Sequence, residues 1–293
     1  MDYILHLAIL ICIYTILAQS LSLVAGNSGQ TSLAQAGFYG IGAYTTALLT
    51  VNFGLPVFLT LLLAMVLSGL IAYIVSKAAI KTIDDYYIII TLGIQVVIFS
   101  IMNNWQAVTR GPLGIPGIPS IEVFSFAFDD KISFLLLSVF FVCSVWFILH
   151  NISTSPFGRV LRALSEDEVY TKSLGKDVQN AKIVSFVISS MFASIAGVLY
   201  AHYISYIDPT SFNIDESIFI LSIVIIGGMR NLRGIFFAAF ILVLLPEVLR
   251  FIGMPSSIAP NMRQIIYGLA LILVIYQMGQ KQETNKRVSN ANV

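Results

Sequence analysis

The side chains that carry chemistry are few here, and their spacing decides what they can do. Cys12 and Cys143 are isolated in apolar runs, and His6, His150 and His202 stand at the ends of such runs. This pattern holds neither a metal site nor a disulfide framework. No G-x-x-x-x-G-K-[ST] loop is present to cradle a nucleotide phosphate, and no Ser/His/Asp, Cys/His or paired-carboxylate arrangement has a supporting motif. The chain reads as non-catalytic, with no metal and no cofactor of its own. One polar segment is denser in signals: "SPFGRVLRALSEDEVYTKSLGKDVQNAK", residues 155–182. Ser155 before Pro156 is an N-cap with proline at the first helical position, and Phe157, Val160, Leu161 and Leu164 recur at helical spacing. Ser165 and Glu168 read as an S-x-x-E capping box, Glu166 and Asp167 suit a helix N-terminus, and Gly175 is the expected stop.

The elements around that segment are apolar throughout. With 57% hydrophobic and 11% charged residues and a mean hydropathy of +0.88, the chain belongs in a bilayer. Runs long enough to be spans, or nearly so, cover 3–25, 35–51, 56–76, 86–103, 132–151, 183–203, 217–227, 235–251 and 262–278, with 217–227 short enough to be half-spanning. The fold class is therefore an all-α integral membrane protein, a polytopic bundle of about 8–10 transmembrane helices with a short helix in its largest loop. Residues 1–280 form the membrane domain, 152–182 its main loop, and 281–293 a polar tail. The first run lacks a basic n-region and reads as a retained helix.

Placing odd-numbered spans inward collects twelve of the sixteen Lys and Arg residues on one side and leaves Arg110, Lys131, Arg250 and Arg263 on the other. By the positive-inside rule the 152–182 loop and the C-terminus face the cytoplasm. Opposite lies 104–131, where three prolines and three glycines between Arg110 and Ser120 require a turn-rich cap. No ionisable residue occupies the middle of any expected span, which disfavours a proton- or sodium-driven carrier.

The stretch "GNSGQTSLAQAGFYGIGAYTTALL", 26–49, is unusually small and polar for such a chain. Ala36 with Gly40 and Ala43 with Ala47 have the small-xxx-small spacing that lets helices approach closely in lipid. Gln30, Ser32, Gln35, Gly40 and Gly42, with Thr91 and Gln95 of the fourth run, are candidates to line an uncharged path; close packing alone is the competing explanation.

Five blocks in order resemble the membrane permeases of bacterial branched-chain amino acid ABC importers, of the LivM-like kind. They are "LSLVAGNSGQTSLAQAGFYGIGAYTTALL" (21–49), "DYYIIITLGIQVV" (85–97), "NNWQAVTRGPLGIPGIP" (103–119), "SPFGRVLRALSEDEVYTKSLG" (155–175) and residues 203–250. The resemblance implies a permease for branched-chain or related amino acids in the bacterial cytoplasmic membrane. Permeases for urea, short amides and other amino acids share the blocks, and an ATP-independent facilitator is the rival reading. It also implies a LivH-like second permease, two ATP-binding subunits that carry the ATP and Mg, and an extracytoplasmic solute-binding protein. Residues 155–175 match the family's coupling loop, with Arg159, Arg162, Glu166, Asp167, Glu168 and Gly175 in the pattern and Glu168 the foremost contact to the ATPase. Tyr170 and Thr171 stand where the family has small residues, Gln95 where it often has an acid, and Arg110 and Arg230 where it is typically small.

Overall fold

The structure, a computed structural model, describes residues 2–79, 84–123, 126–128, 130–251, 268, 269 and 272. The expected span 262–278 and the tail 281–293 lie almost wholly outside them. Eleven α-helices follow one another among the described residues: α1 Asp2–Ser22, α2 Gln35–Phe53, α3 Val57–Ala79, α4 Asp84–Asn104, α5 Gln106–Thr109, α6 Lys131–Thr154, α7 Pro156–Glu166, α8 Glu168–Ser173, α9 Val178–Ile204, α10 Ile214–Gly227 and α11 Leu232–Phe251. Six described helical stretches are long and apolar enough to cross a membrane. The chain is an all-α polytopic membrane protein, and each expected span within the described residues is helical to within a turn or so at its ends.

The bundle is built round α1 and α9, which are largely buried, while α3, α4 and α6 show apolar side chains outward. Close approach is set by glycines. A Cβ on Gly42 would lie 2.3 Å from the Ser194 carbonyl oxygen, and one on Gly197 would lie 2.1 Å from that of Tyr39. Backbones this close gain dispersion contacts, the packing force that remains between helices when lipid is as apolar as they are.

At one end, α1 runs on as a π-helical turn, Leu23–Asn27, and Asn27 Nδ2 donates to Ser153 Oγ at 2.8 Å, joining it to the end of α6. The 152–182 loop and the turn between α10 and α11 meet here; this is the loop end. At the far end two short strands, β1 Ile115–Pro116 and β4 Tyr206–Ile207, pair antiparallel; β2 Glu122–Val123 and β3 Phe126–Ala127 form a second small ladder. The Gly/Pro-rich cap is turn-rich as its sequence requires, with Gly111, Gly114 and Gly117 all at positive φ.

Two departures matter. Residues 165–175 are not one helix opened by a Ser165–Glu168 box. Ser165 lies inside α7, Asp167 breaks the chain in an extended conformation, and Asp167 caps α8 by accepting from Tyr170 N at 2.8 Å. Aspartate is as strong an N-cap as serine, and the helix start moves two residues, from Ser165 to Asp167. Second, α10 begins three residues before the expected span, so Asp215 and Glu216 are helical. Glu216 accepts a hydrogen bond from Tyr14 OH, halfway along α1. A carboxylate therefore does enter the bundle, where no mid-span ionisable residue was expected. The apolar run gave no sign of it because Asn213, four residues before Ser217, is the actual cap.

Candidate functional site

α2 does not start where α1 ends. After Ser28 the chain turns back into the bundle without helical structure, and Gln35 Nε2 donates to Ser20 Oγ at 2.6 Å. Ser20 is seven residues from Asn27, so α2 begins about 10 Å inside the loop end. α10 is likewise incomplete. Its 14 residues rise about 21 Å, short of the ~30 Å hydrocarbon thickness, and the chain reaches it through an irregular segment carrying a 3-10 turn, Pro209–Phe212. The 217–227 run is short as an α-helix, but with the 3-10 turn before it the stretch Pro209–Gly227 is long and apolar enough to span, and the chain passes from the far end to the loop end.

The two helix starts meet inside the protein. Ala36 N donates to Ser217 Oγ at 3.0 Å, and Asn213 Oδ1 accepts from Glu216 N at 3.0 Å. α4 closes the junction from the side: Gln95 Oε1 accepts from Gly37 N at 2.5 Å, while its Nε2 donates to Phe212 O at 2.8 Å. Thr91 Oγ1 accepts from Leu33 N at 3.1 Å, and Ser32 Oγ from Ala34 N at 3.2 Å. Non-helical backbone away from water must find partners within the protein, and these uncharged side chains supply them. Gln30, Ser32, Gln35, Thr91 and Gln95 are all buried. Phe212 packs its ring against Tyr39, Tyr44 and Tyr200, and a Cβ on Gly40 would lie 2.9 Å from it. Of the candidate path residues, Ser32, Gln35, Gly40, Thr91 and Gln95 therefore lie around one junction of half-helices, where their polar side chains bond mainly to backbone groups; Gly42 packs against α9, and Gln30 accepts from Ser28 nearer the loop end.

The 155–175 segment forms the second site. Ser155 Oγ accepts from Gly158 N at 3.3 Å with Pro156 at the first turn, and α7 buries Leu161 and Leu164. Gly158 is needed there: a Cβ would lie 2.2 Å from the Ser153 carbonyl oxygen. Gly175, at φ 73°, ends the segment with its N–H on Lys172 O. Two cations tie it to the bundle. Lys182 Nζ, nearly buried, contacts Glu168 Oε2 at 2.5 Å. Arg230 donates from Nε to Gly26 O at 2.8 Å and from Nη2 to Ser165 Oγ at 2.6 Å, with its Nη1 3.8 Å from Glu166. Glu168 thus points inward, and the outer face is made by Val169, Tyr170 and Leu174, which are 79%, 62% and 58% exposed. Arg159 and Asp167 are exposed and Arg162 is half-buried.

The family model for the branched-chain amino acid transport system permease component matches residues 3–275. The chain belongs to this family. It is 31% identical over 294 residues to the Escherichia coli high-affinity branched-chain amino acid transport permease LivM, covering 92% of this chain and 68% of that one. A probable LivM of Methanocaldococcus jannaschii is 27% identical, over 74% of this chain and 66% of its own. A probable LivH of the same organism is 26% identical, over 89% and 83%. No solved structure matches.

The half-helix junction and the exposed loop are separate places in the fold, and Arg230, in the turn after α10, bonds both α7 and the π-helical end of α1. Lys182, Arg230, Asn213 and Ser217 were not singled out as site residues in the sequence. Lys182 and Ser217 stand at the edges of runs, and nothing local marks them. Arg230 had a signal, as a long cation where the family is typically small.

Proposed function

We propose that this chain is the LivM-like half of an ATP-driven importer for branched-chain or related amino acids, paired with a LivH-like permease. Two cytoplasmic ATPase subunits would bind the loop end, and an extracytoplasmic solute-binding protein the far end. The chain itself binds no nucleotide or metal; ATP and Mg belong to the partners. The orientation follows the basic residues: Lys77, Arg159, Arg162, Lys172, Lys176, Lys182, Arg230 and Arg233 all belong to loop-end segments, so that end faces the cytoplasm of a bacterial inner membrane.

The observation that carries this reading is α8. A six-residue helix at the edge of the bundle that turns Val169 and Tyr170 to solvent, with Leu174 exposed at its C-cap and Glu166 and Asp167 before it, has a face suited to a groove on another protein. Closure of the ATPases would push α7 and α8, and Arg230 would pass the movement to the α10 turn and to α1. At the junction Gln95, Ser217 and Gln35 would exchange their internal hydrogen bonds for the solute's ammonium and carboxylate, with both helix N-termini favouring the latter.

The test is co-purification from the native membrane after gentle extraction. Two P-loop ATPases and a second permease are expected with the wild type, and Val169→Asp with Leu174→Asp should lose the ATPases while keeping the permease. Recovery of the chain alone, still passing solute in ATP-free vesicles, would establish a facilitator instead.

A further inference from the structure

A recess among the described helices lies apart from the half-helix junction. Between α1, α6 and α11 runs a groove of about 600 Å³, walled by Ile11, Val139, Val142, Phe236, Phe237 and Phe240. At its loop end it continues into a polar pocket of about 380 Å³ that includes Ser22, Asn27, His150, Arg230 and Arg233; Trp146, Leu232 and Arg233 line both. An oily trough thus opens into a cationic head.

Three features fix the chemistry of an occupant. Arg233 is exposed and has no ion pair among the described residues, and Arg230 beside it is only partly answered by Glu166 at 3.8 Å. A single negative charge would complete the pocket. Trp146 stacks on His150, centroids 5.3 Å apart and planes 7° from parallel, at the boundary of the two spaces, where an amphipathic indole marks the interfacial depth of a bilayer. Finally, Gln19 lines the apolar groove almost fully buried, and its Oε1 has no hydrogen-bond partner. It stands three residues from Ser22, about 4.5 Å along α1 below the polar pocket. Its Oε1 is thus an unmet polar atom at that depth, between the cationic pocket and the hydrocarbon trough.

We propose that this groove is a binding site for an anionic diacyl phospholipid. The phosphate sits against Arg233 and Arg230 with Asn27 and Ser153 beside it, the polar glycerol region lies at the depth of the Gln19 amide, and an acyl chain lies along Phe236, Phe237 and Phe240. The order of the contacts, cation, amide, hydrocarbon, is that of a phospholipid from phosphate to tail. The cations lie at the end where anionic lipids attract basic side chains most strongly. Because Arg230 also holds Ser165 and Gly26, the lipid's charge would bear on the grip between loop and bundle.

The experiment uses the transporter extracted with its partners in mild detergent and analysed by native mass spectrometry after addition of phosphatidylglycerol or phosphatidylcholine of matched chains. One phosphatidylglycerol per copy of this chain is expected in preference to phosphatidylcholine, falling about tenfold in Arg233→Glu and unchanged in Lys77→Glu at the same end of α3. Equal retention of the two lipids, or equal loss in both variants, overturns the proposal. Cys143, exposed on the groove wall, reports the occupant directly. Its capture by a maleimide-bearing lipid supports the site, whereas its cross-linking to a second permease chain makes the groove a protein interface and overturns it.

Discussion

Glu168, which the family resemblance proposes as a contact to an ATPase partner, lies 2.5 Å from Lys182 Nζ in the structure. The Lys182 side chain is 7% exposed and the Glu168 side chain 43%, so the pair lies between a surface ion pair and a buried one. A charge-assisted hydrogen bond contributes about 1.5–3 kcal/mol, and the half-exposed carboxylate puts this one at the lower bound, about 1.5 kcal/mol. Glu168→Ala leaves the nearly buried ammonium without that carboxylate; Lys182→Met leaves a carboxylate that water can reach. The first should therefore cost more than the second, and Glu168→Ala in a Lys182→Met background should cost little, a coupling expected of groups in contact. The readout is local: hydrogen exchange at Thr171 and Leu174, whose amides donate to the Asp167 and Tyr170 carbonyls. About 1.5 kcal/mol of lost anchoring is roughly tenfold faster exchange there. Strictly additive effects of the two substitutions, with α8 exchange unchanged in Glu168→Ala, would refute the anchoring role and return Glu168 to the partner surface.

Other expectations follow from the same geometry. Gly42→Ala and Gly197→Ala each drive a methyl into a carbonyl oxygen of the neighbouring helix, and thermal unfolding should show a loss of about 1–3 kcal/mol for either. Gln95→Leu strands the Phe212 carbonyl, at about 1–3 kcal/mol for a buried group left unmade, and leaves the Gly37 N–H only its second acceptor, Ala34 O at 3.1 Å, whereas Gln95→Glu keeps the acceptor for Gly37 and should retain more stability. Arg230→Gln removes the charge that joins α7 to Gly26. In reconstituted vesicles it should lower solute uptake per ATP hydrolysed while ATPase co-purification persists, and an unchanged ratio would mean the arginine is merely structural.

The sequence determined the class, the order of the spans among the described residues and the start of α7, because each is a local property. Apolar length selects a bilayer helix, Ser155 before Pro156 opens α7, and Gly175 closes the loop whatever lies elsewhere. It also announced that 26–49 was special through an excess of small and polar residues. Which partners those residues meet is decided by neighbours distant in the chain: Gln95 lies 58 residues from Gly37 and 117 from Phe212, yet bonds to both. The split of 155–175 at Asp167, the inward turn of Glu168 and the entry of Glu216 beside Tyr14 are of the same kind. Several caps and ion-pair partners compete at nearly equal local energy, and long-range packing selects among them. A half-helix is legible only from the backbone groups it leaves unpaired, and the side chains that answer them come from other helices.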